Sequence, residues 1–368
     1  MSFHFFPFVV DNSFPDTFYQ NEIKLAINYA IILQKSRPTF MRIPAQSEEA
    51  KEADLLLSGL QVYYVSKLNA LALQFGEGKS CKAVIWECDK SKHGGGKRYE
   101  TRDRSLFDQA SVNVSGVHYE DVKNRALDVA SVFSATIHPD NPHVPSMHIS
   151  VSWEKMKEEK GSWHLVADLN PSILNESTCD KNIFSETLKK ETGQFYVEGT
   201  EQGEMYFNIP VLGRHRGVSH YYLEAYHSGS FEEDKALMLQ IAESVFNSYL
   251  EIMVAKLREQ PTFTQEKKEE QLAYHTLYLF QVLTLDRGTV KGLLEHDQND
   301  LGILASLPSH INRDILSLWV EKMPAPQDLL LKQILKILPK GVPTPVDEKC
   351  KKLLANTIRK HYKKYPIE

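Results

Sequence analysis

The chain changes its hydrophobic period several times, and each change predicts an element. After Ser47, residues Leu57, Leu60, Tyr64, Leu68 and Leu71 recur at helical spacing, which predicts a long amphipathic helix ending near Gly76. Ser47 supplies its N-cap, and Glu48 and Glu49 place acids in the first turn, where the helix dipole favours them. The period then falls to two, and strands are predicted over 83–87, 107–115, 131–137, 147–153 and 163–169. In the second of these, Gln109, Ser111, Asn113 and Ser115 share one parity while Ala110, Val112 and Val114 share the other. One face of the sheet is therefore polar and uncharged, suited to water or to hydrogen bonding a ligand. Further on, the pattern predicts a helix over 182–192, strands over 206–212 and 218–225 around a basic turn (213–217), and a helix over 232–259. A second helix follows from Thr264, then a strand over 283–290, and helices again after Pro308 with breaks at Pro324 and Pro326. Helices gathered early and late, rather than alternating with strands, predict an α+β fold with a large antiparallel sheet.

Three stretches carry candidate chemistry. Residues 137–148 pack three prolines and His138, His143 and His148 into a turn between two strands; proline stiffens it, so it is built to hold something or is hydrogen-bonded structurally. Its histidine spacing matches no usual zinc pattern, and no metal is expected. Gly94-Gly-Gly96, followed by Lys97 and Arg98, lets the backbone approach a ligand or cross another strand closely, with a mobile basic loop as the plainer alternative. Asp286-Arg287 beside Gly288 reads as a surface ion pair or as a carboxylate held ready in a cleft.

Composition narrows the function. A formal charge of -5 on 368 residues gives no reason to expect nucleic acid. Four cysteines at irregular spacing predict reduced thiols in a cytoplasmic protein, and no apolar run reaches the length of a membrane span. The chain divides into an N-terminal extension (1–45), a central domain (46–337) and a basic C-terminal extension (338–368), the last read as a solvated helix.

Taken in order, the motifs resemble oxygen-dependent coproporphyrinogen III oxidases. They are Gly94–Gly96; Phe107-Asp-Gln-Ala-Ser-Val-Asn113; His138-Pro with Asn141-Pro and a following Pro and His148; Trp163 leading to Asp168-Leu-Asn-Pro171; Arg216-Gly217; and Asp286-Arg-Gly-Thr289 with Gly292. The resemblance spans roughly 47–335 and implies a broad antiparallel sheet with helices on both faces, a homodimer, and a cleft for a tetrapyrrole. It implies oxidative decarboxylation of two propionates to vinyls, with molecular oxygen as co-substrate and no cofactor. By motif, Asp286 would face pyrrole nitrogens, with Arg287 as its charge partner or a propionate anchor. His148 would donate a proton, and Asp168 would be a second carboxylate. Ser134, Asn113, Ser115, Ser150, Ser152 and Arg216 would contact substrate.

The chain also departs from that family's pattern. Ser150-Val-Ser152 replaces Asn-x-Arg, Val211-Leu212 replaces His-Arg, and the acidic Glu295–Asp300 loop replaces Gly-Gly-Arg. Fewer cations in a pocket for a tetracarboxylate imply weaker binding, because each charged hydrogen bond contributes about 1.5–3 kcal/mol. The alternative is a non-catalytic or re-purposed relative that binds a tetrapyrrole or another ring.

Overall fold

The structure is a computed structural model and describes residues 43–173, 177–295 and 298–366. Nearly all of the predicted N-terminal extension, and His296 and Asp297 of the acidic loop, lie outside the described residues.

Helix α1 (Glu48–Phe75) begins where the Ser47 hydroxyl accepts the Ala50 N–H at 3.2 Å, and it ends at Gly76, as the sequence predicts. Seven strands follow: β1 (Lys82–Glu87), β2 (Gly94–Glu100), β3 (Phe107–His118), β4 (Leu127–Pro139), β5 (Ser146–Met156), β6 (Ser162–Asn170) and β9 (Ser219–Tyr226). They pair antiparallel in the order β1-β2-β3-β4-β5-β6-β9. Because the side-chain period is two, one face collects Val112, Val114, Phe133, Ile149, Trp153 and Leu165. That face is buried against α1, α2 (Thr178–Thr192) and α4 (Phe231–Glu259), with Tyr64 and Phe246 stacked at 3.6 Å between ring centroids.

The other face carries the polar parity. A second core closes over one end of it, built from α5 (Gln265–Thr284), α6 (Arg287–Glu295), α7 (Asp300–Ile303), α8 (Arg313–Leu318), α9 (Gln327–Ile337) and α10 (Glu348–Lys364). Gln109 and His138 reach from the sheet to the carbonyls of Ala305 and Ser306 in this layer. The fold is thus the predicted sheet with helices on both faces. Helix α10 is not the solvated element its charge suggests: Leu354, Ala355, Ile358 and Tyr362 are buried in the second core. Lys351 is buried with them, donating to the Leu307 carbonyl at 3.3 Å, and burial draws its ammonium down to about 8.

Three predicted elements are corrected. Residues 283–290 are not a strand: Leu283 and Thr284 end α5, and α6 begins at Arg287. The alternation of Leu283 and Leu285 misleads because α5 is buried at every position from Tyr274 to Thr284, which erases a helical stripe. Of 206–212, Tyr206 and Phe207 end a helix α3 (Tyr196–Phe207), only Asn208–Ile209 (β7) is extended, and a turn follows before β8 (Arg214–His215). Gly94–Gly96 is not a mobile loop but the start of β2, wedged between its neighbours. A Cβ on Gly96 would lie 2.4 Å from the Val114 carbonyl and 2.5 Å from Trp86 Nε1. Gly96→Ala is accordingly expected to destabilise the fold by about 1–3 kcal/mol, seen as a lower urea midpoint at an unchanged slope.

Candidate functional site

Cross-strand register arranges the polar face in rows. Ser111, Thr136, His148, Asp168 and His220 stand opposite one another across five strands. The next row holds Arg98, Asn113, Ser134, Ser150, Val166 and Tyr222, and the one after it Ser115, Val132, Ser152 and His164. The predicted contact residues Asn113, Ser115, Ser134, Ser150 and Ser152 therefore share one floor with His148 and Asp168. Ser150 donates to the Phe133 carbonyl at 3.1 Å, whereas Asn113 Oδ1 is buried with no partner among the described residues. An unpaired buried acceptor is costly unless a ligand supplies a donor.

Asp168 is the centre of this floor and is fully buried. Its Oδ1 accepts from His148 Nδ1 at 3.1 Å and its Oδ2 from Arg216 Nη2 at 3.1 Å, with Asn170 donating as well. Burial opposes its ionisation, but Arg216, His148 and Asn170 outweigh burial and hold the carboxyl below the usual carboxylate range. With its Nδ1 proton fixed on Asp168, His148 presents Nε2 outward, and its side chain is 22% exposed.

Arg216 owes its position to Gly217, at φ 81°, where a Cβ would lie 2.7 Å from the Leu169 carbonyl and from Asn170 Oδ1. Its guanidinium lies between the Phe207 and Tyr278 rings, at 4.8 and 4.5 Å from their centroids. The arginine is buried and already paired, so it is not the free carboxylate-binding fork that the motif implies.

Asp286 is set differently from a strand carboxylate. It caps α6: Oδ1 accepts from the Gly288 and Thr289 N–H groups at 2.9 and 3.3 Å, and Oδ2 from Thr289 Oγ1 at 2.8 Å. Tyr206 adds a bond to Oδ1 at 3.0 Å, which leaves acceptor capacity on Oδ2. Asp286 and His148 share no hydrogen bond or ion pair. Tyr206, which holds Asp286, lies with its ring 5.1 Å from that of Tyr222, in the row next to His148 and Asp168. Arg287 is exposed at the start of α6.

The proline–histidine turn is structural. His138 Nε2 donates to the Ser306 carbonyl at 2.9 Å and Nδ1 meets Ser146 Oγ at 3.0 Å; burial drives the ring down to about 3, so it is neutral. Asn141 donates to the Gln260 carbonyl, and Tyr249 to that of Pro145, clamping the turn to α4.

Sequence reasoning missed Tyr206, Tyr274, Tyr278, His164 and His220. The uncharged run from Tyr274 to Thr284, with tyrosines four apart, is the signal that could have placed two of them beside Arg216.

The family model described as coproporphyrinogen III oxidase matches residues 54–315, and with them most of this floor. The chain belongs to the coproporphyrinogen III oxidase family. Among its relatives, the oxygen-dependent coproporphyrinogen-III oxidase of Rattus norvegicus, a mitochondrial protein, is 29% identical over 278 residues, covering 69% of this chain. The Homo sapiens counterpart is 28% identical over 248 residues, covering 61% of this chain and 53% of its own length. The oxygen-dependent enzyme of Rickettsia bellii is 29% identical over 238 residues, covering 61% of this chain and 82% of its own. The chain spans 60% of the rat protein's length. The family match ends at residue 315, while the second core continues to Tyr362. No helix among the described residues is long and apolar enough to cross a membrane.

Proposed function

We propose that this protein carries out the oxygen-dependent oxidative decarboxylation of porphyrinogen propionates to vinyls, with coproporphyrinogen III, the ring in its relatives' names, as a substrate. The observation that carries this reading is the His148–Asp168 pair set among the uncharged polar rows of Asn113, Ser134 and Ser150. Each turnover converts one propionate, one oxygen molecule and one proton into a vinyl group, carbon dioxide and hydrogen peroxide. Oxygen takes the two electrons released as the carboxyl carbon leaves. The electron-rich ring needs no flavin, haem or metal from the protein, which supplies placement and proton handling.

In this reading His148 Nε2 delivers the proton, and Asp168 holds the ring that carries it. The free acceptor site on Asp286 Oδ2 takes a pyrrole N–H, and Arg287 anchors a propionate. Asn113, Ser115, Ser134, Ser150 and Ser152 meet the ring from below. The protein works as a homodimer in the cytoplasm; four free cysteines fit a reducing compartment.

A second reading, a ring-binding relative without turnover, is favoured by one observation: Arg98 and Arg216 are both already paired, with Glu100 and Asp168. The test is incubation of the purified protein with coproporphyrinogen III with and without oxygen, followed by separation of the oxidised porphyrins. Vinyl-bearing product that appears only with oxygen supports catalysis. Ring binding by absorbance titration without product decides for the second reading.

A further inference from the structure

Asp286 and Arg287 sit at the joint between α5 and α6. An α-helix leaves its last four carbonyls without partners inside the helix, so the ends of α5 and α6 need donors from elsewhere. Two such donors come from one face of α10, where Arg359 and Tyr362 stand one turn apart. The Tyr362 hydroxyl donates to the carbonyl of Thr284, the last residue of α5, at 3.3 Å. Arg359 Nε donates to the carbonyl of Leu293, in the last turn of α6, at 2.7 Å. A guanidinium there also complements the negative end of the α6 dipole. The two bonds bracket the Asp286 cap, one on each side along the chain.

The same guanidinium gives the acidic loop a structural use. Its Nη2 pairs with Asp300 Oδ1 at one end of that loop, and at the other end Glu295 pairs with Arg125 Nη1 at 2.6 Å. Both of these carboxylates are thus matched by arginines rather than turned unpaired toward a ring. Arg359 is only 11% exposed and meets its two acceptors with a rigid fork, which a flexible ammonium does not reproduce. The helix that supplies it lies wholly beyond residue 315, where the family match ends.

Resting on the reading of Asp286 and Arg287 as groups that meet the ring, we infer that Arg359 is a positioning residue for this site. It pins the far end of α6, and a helix of nine residues carries that constraint to Arg287 and the Asp286 cap at the near end. Without the fork, α6 keeps its cap but loses its anchor. Asp286 Oδ2 and Arg287 then meet the ring less often in the right place, which weakens ring binding and leaves proton delivery by His148 unaffected.

The test is steady-state kinetics of vinyl formation by the full chain carrying Arg359→Leu together with Asp300→Asn, a pair that removes the guanidinium without freeing a carboxylate. KM for coproporphyrinogen III is expected to rise about tenfold, the size of one charged hydrogen bond made less often, with kcat per folded molecule little changed. Amide hydrogen exchange should become faster in α6 and stay the same in β3 to β6. A merely structural role would instead deplete folded protein and lower the apparent kcat at an unchanged KM. Arg359→Lys, which keeps the charge but not the fork, should shift KM in the same direction by less, and it decides the matter should the double variant not fold. An unmoved KM in folded variants, or α6 exchange no faster than in the unmodified chain, overturns the inference and leaves the functional reading intact. Absence of turnover by the unmodified chain overturns that reading and this inference with it.

Discussion

Arg216→Leu is expected to lower the unfolding free energy by about 3–5 kcal/mol at pH 7, measured by urea denaturation. The loss does not measure the strength of the ion pair. It is the cost of leaving Asp168, which is 0% exposed, charged with no cation beside it. Its pH dependence follows from the carboxyl's position below the usual range in the folded protein. A depressed folded value means that the stabilisation is fully present above the unfolded carboxyl value of about 3.9 and is lost as pH falls through the folded value. Without the guanidinium, burial dominates and raises the carboxyl, so the variant gains relative stability as Asp168 takes up a proton. The gap between the two proteins should therefore narrow from pH 7 to pH 4. Converting Asp168 to Leu as well, which removes both partners, should recover much of the loss, because an apolar pair of similar volume is often no less stable than a buried ion pair. A gap that stays constant with pH, or a double variant as unstable as the single one, would show that the stranded charge is not the cause.

That pair also marks where the sequence stops being informative. Asp168 and Arg216 are 48 residues apart, and nothing in local pattern says that Gly217 turns Arg216 back under β6. The long helix α1 was legible because its cap, its stripe and its stop are all local: Ser47, Leu57 through Leu71, and Gly76. Strands β3 to β6 were legible because one face meets helices and the other does not, which writes a period of two into the residues. Helix α3 was missed for the opposite reason. Gly199 and Gly203 lower its helical propensity yet are needed where it crosses β9, since a Cβ on Gly199 would sit 2.2 Å from the Tyr221 ring.

The candidate site was legible as a set of parities. Once register is known, Asn113, Ser134 and Ser150 fall into one row and His148 and Asp168 into the next. Motif spacing could not show that Asp286 would act first as a helix cap, because a cap depends on where α5 stops. Nor could it show that His148 meets an acid on the sheet floor, while His138 is sealed against α5 by the Tyr278 ring at 4.7 Å. Burial assigned these roles, and burial is a property of the second core, half of which lies beyond the family match.

His148→Gln is expected to reduce the rate of vinyl formation by roughly 10²–10⁴-fold, the contribution typical of one positioned proton donor. The amide side chain can still donate to Asp168, so the buried carboxylate keeps its Arg216 and Asn170 bonds and the fold should hold. The ring's contacts with the serine rows are untouched, so KM should change little while kcat falls. This split separates a proton-transfer role from a binding one. Asp168→Asn should also lower kcat, by a different route: an asparagine lacks the negative charge that pairs with the doubly protonated ring, the form in which Nδ1 stays bonded while Nε2 holds a proton to give. Because Arg216 then loses its carboxylate, this second variant should also be less stable, whereas His148→Gln should not. Free imidazole added to His148→Gln should restore part of the rate at unchanged ring affinity. Full turnover by His148→Gln, or a rise in KM that accounts for the whole effect, would remove His148 as the proton donor and leave Asp286, held by Tyr206 and Thr289, as the group to test next.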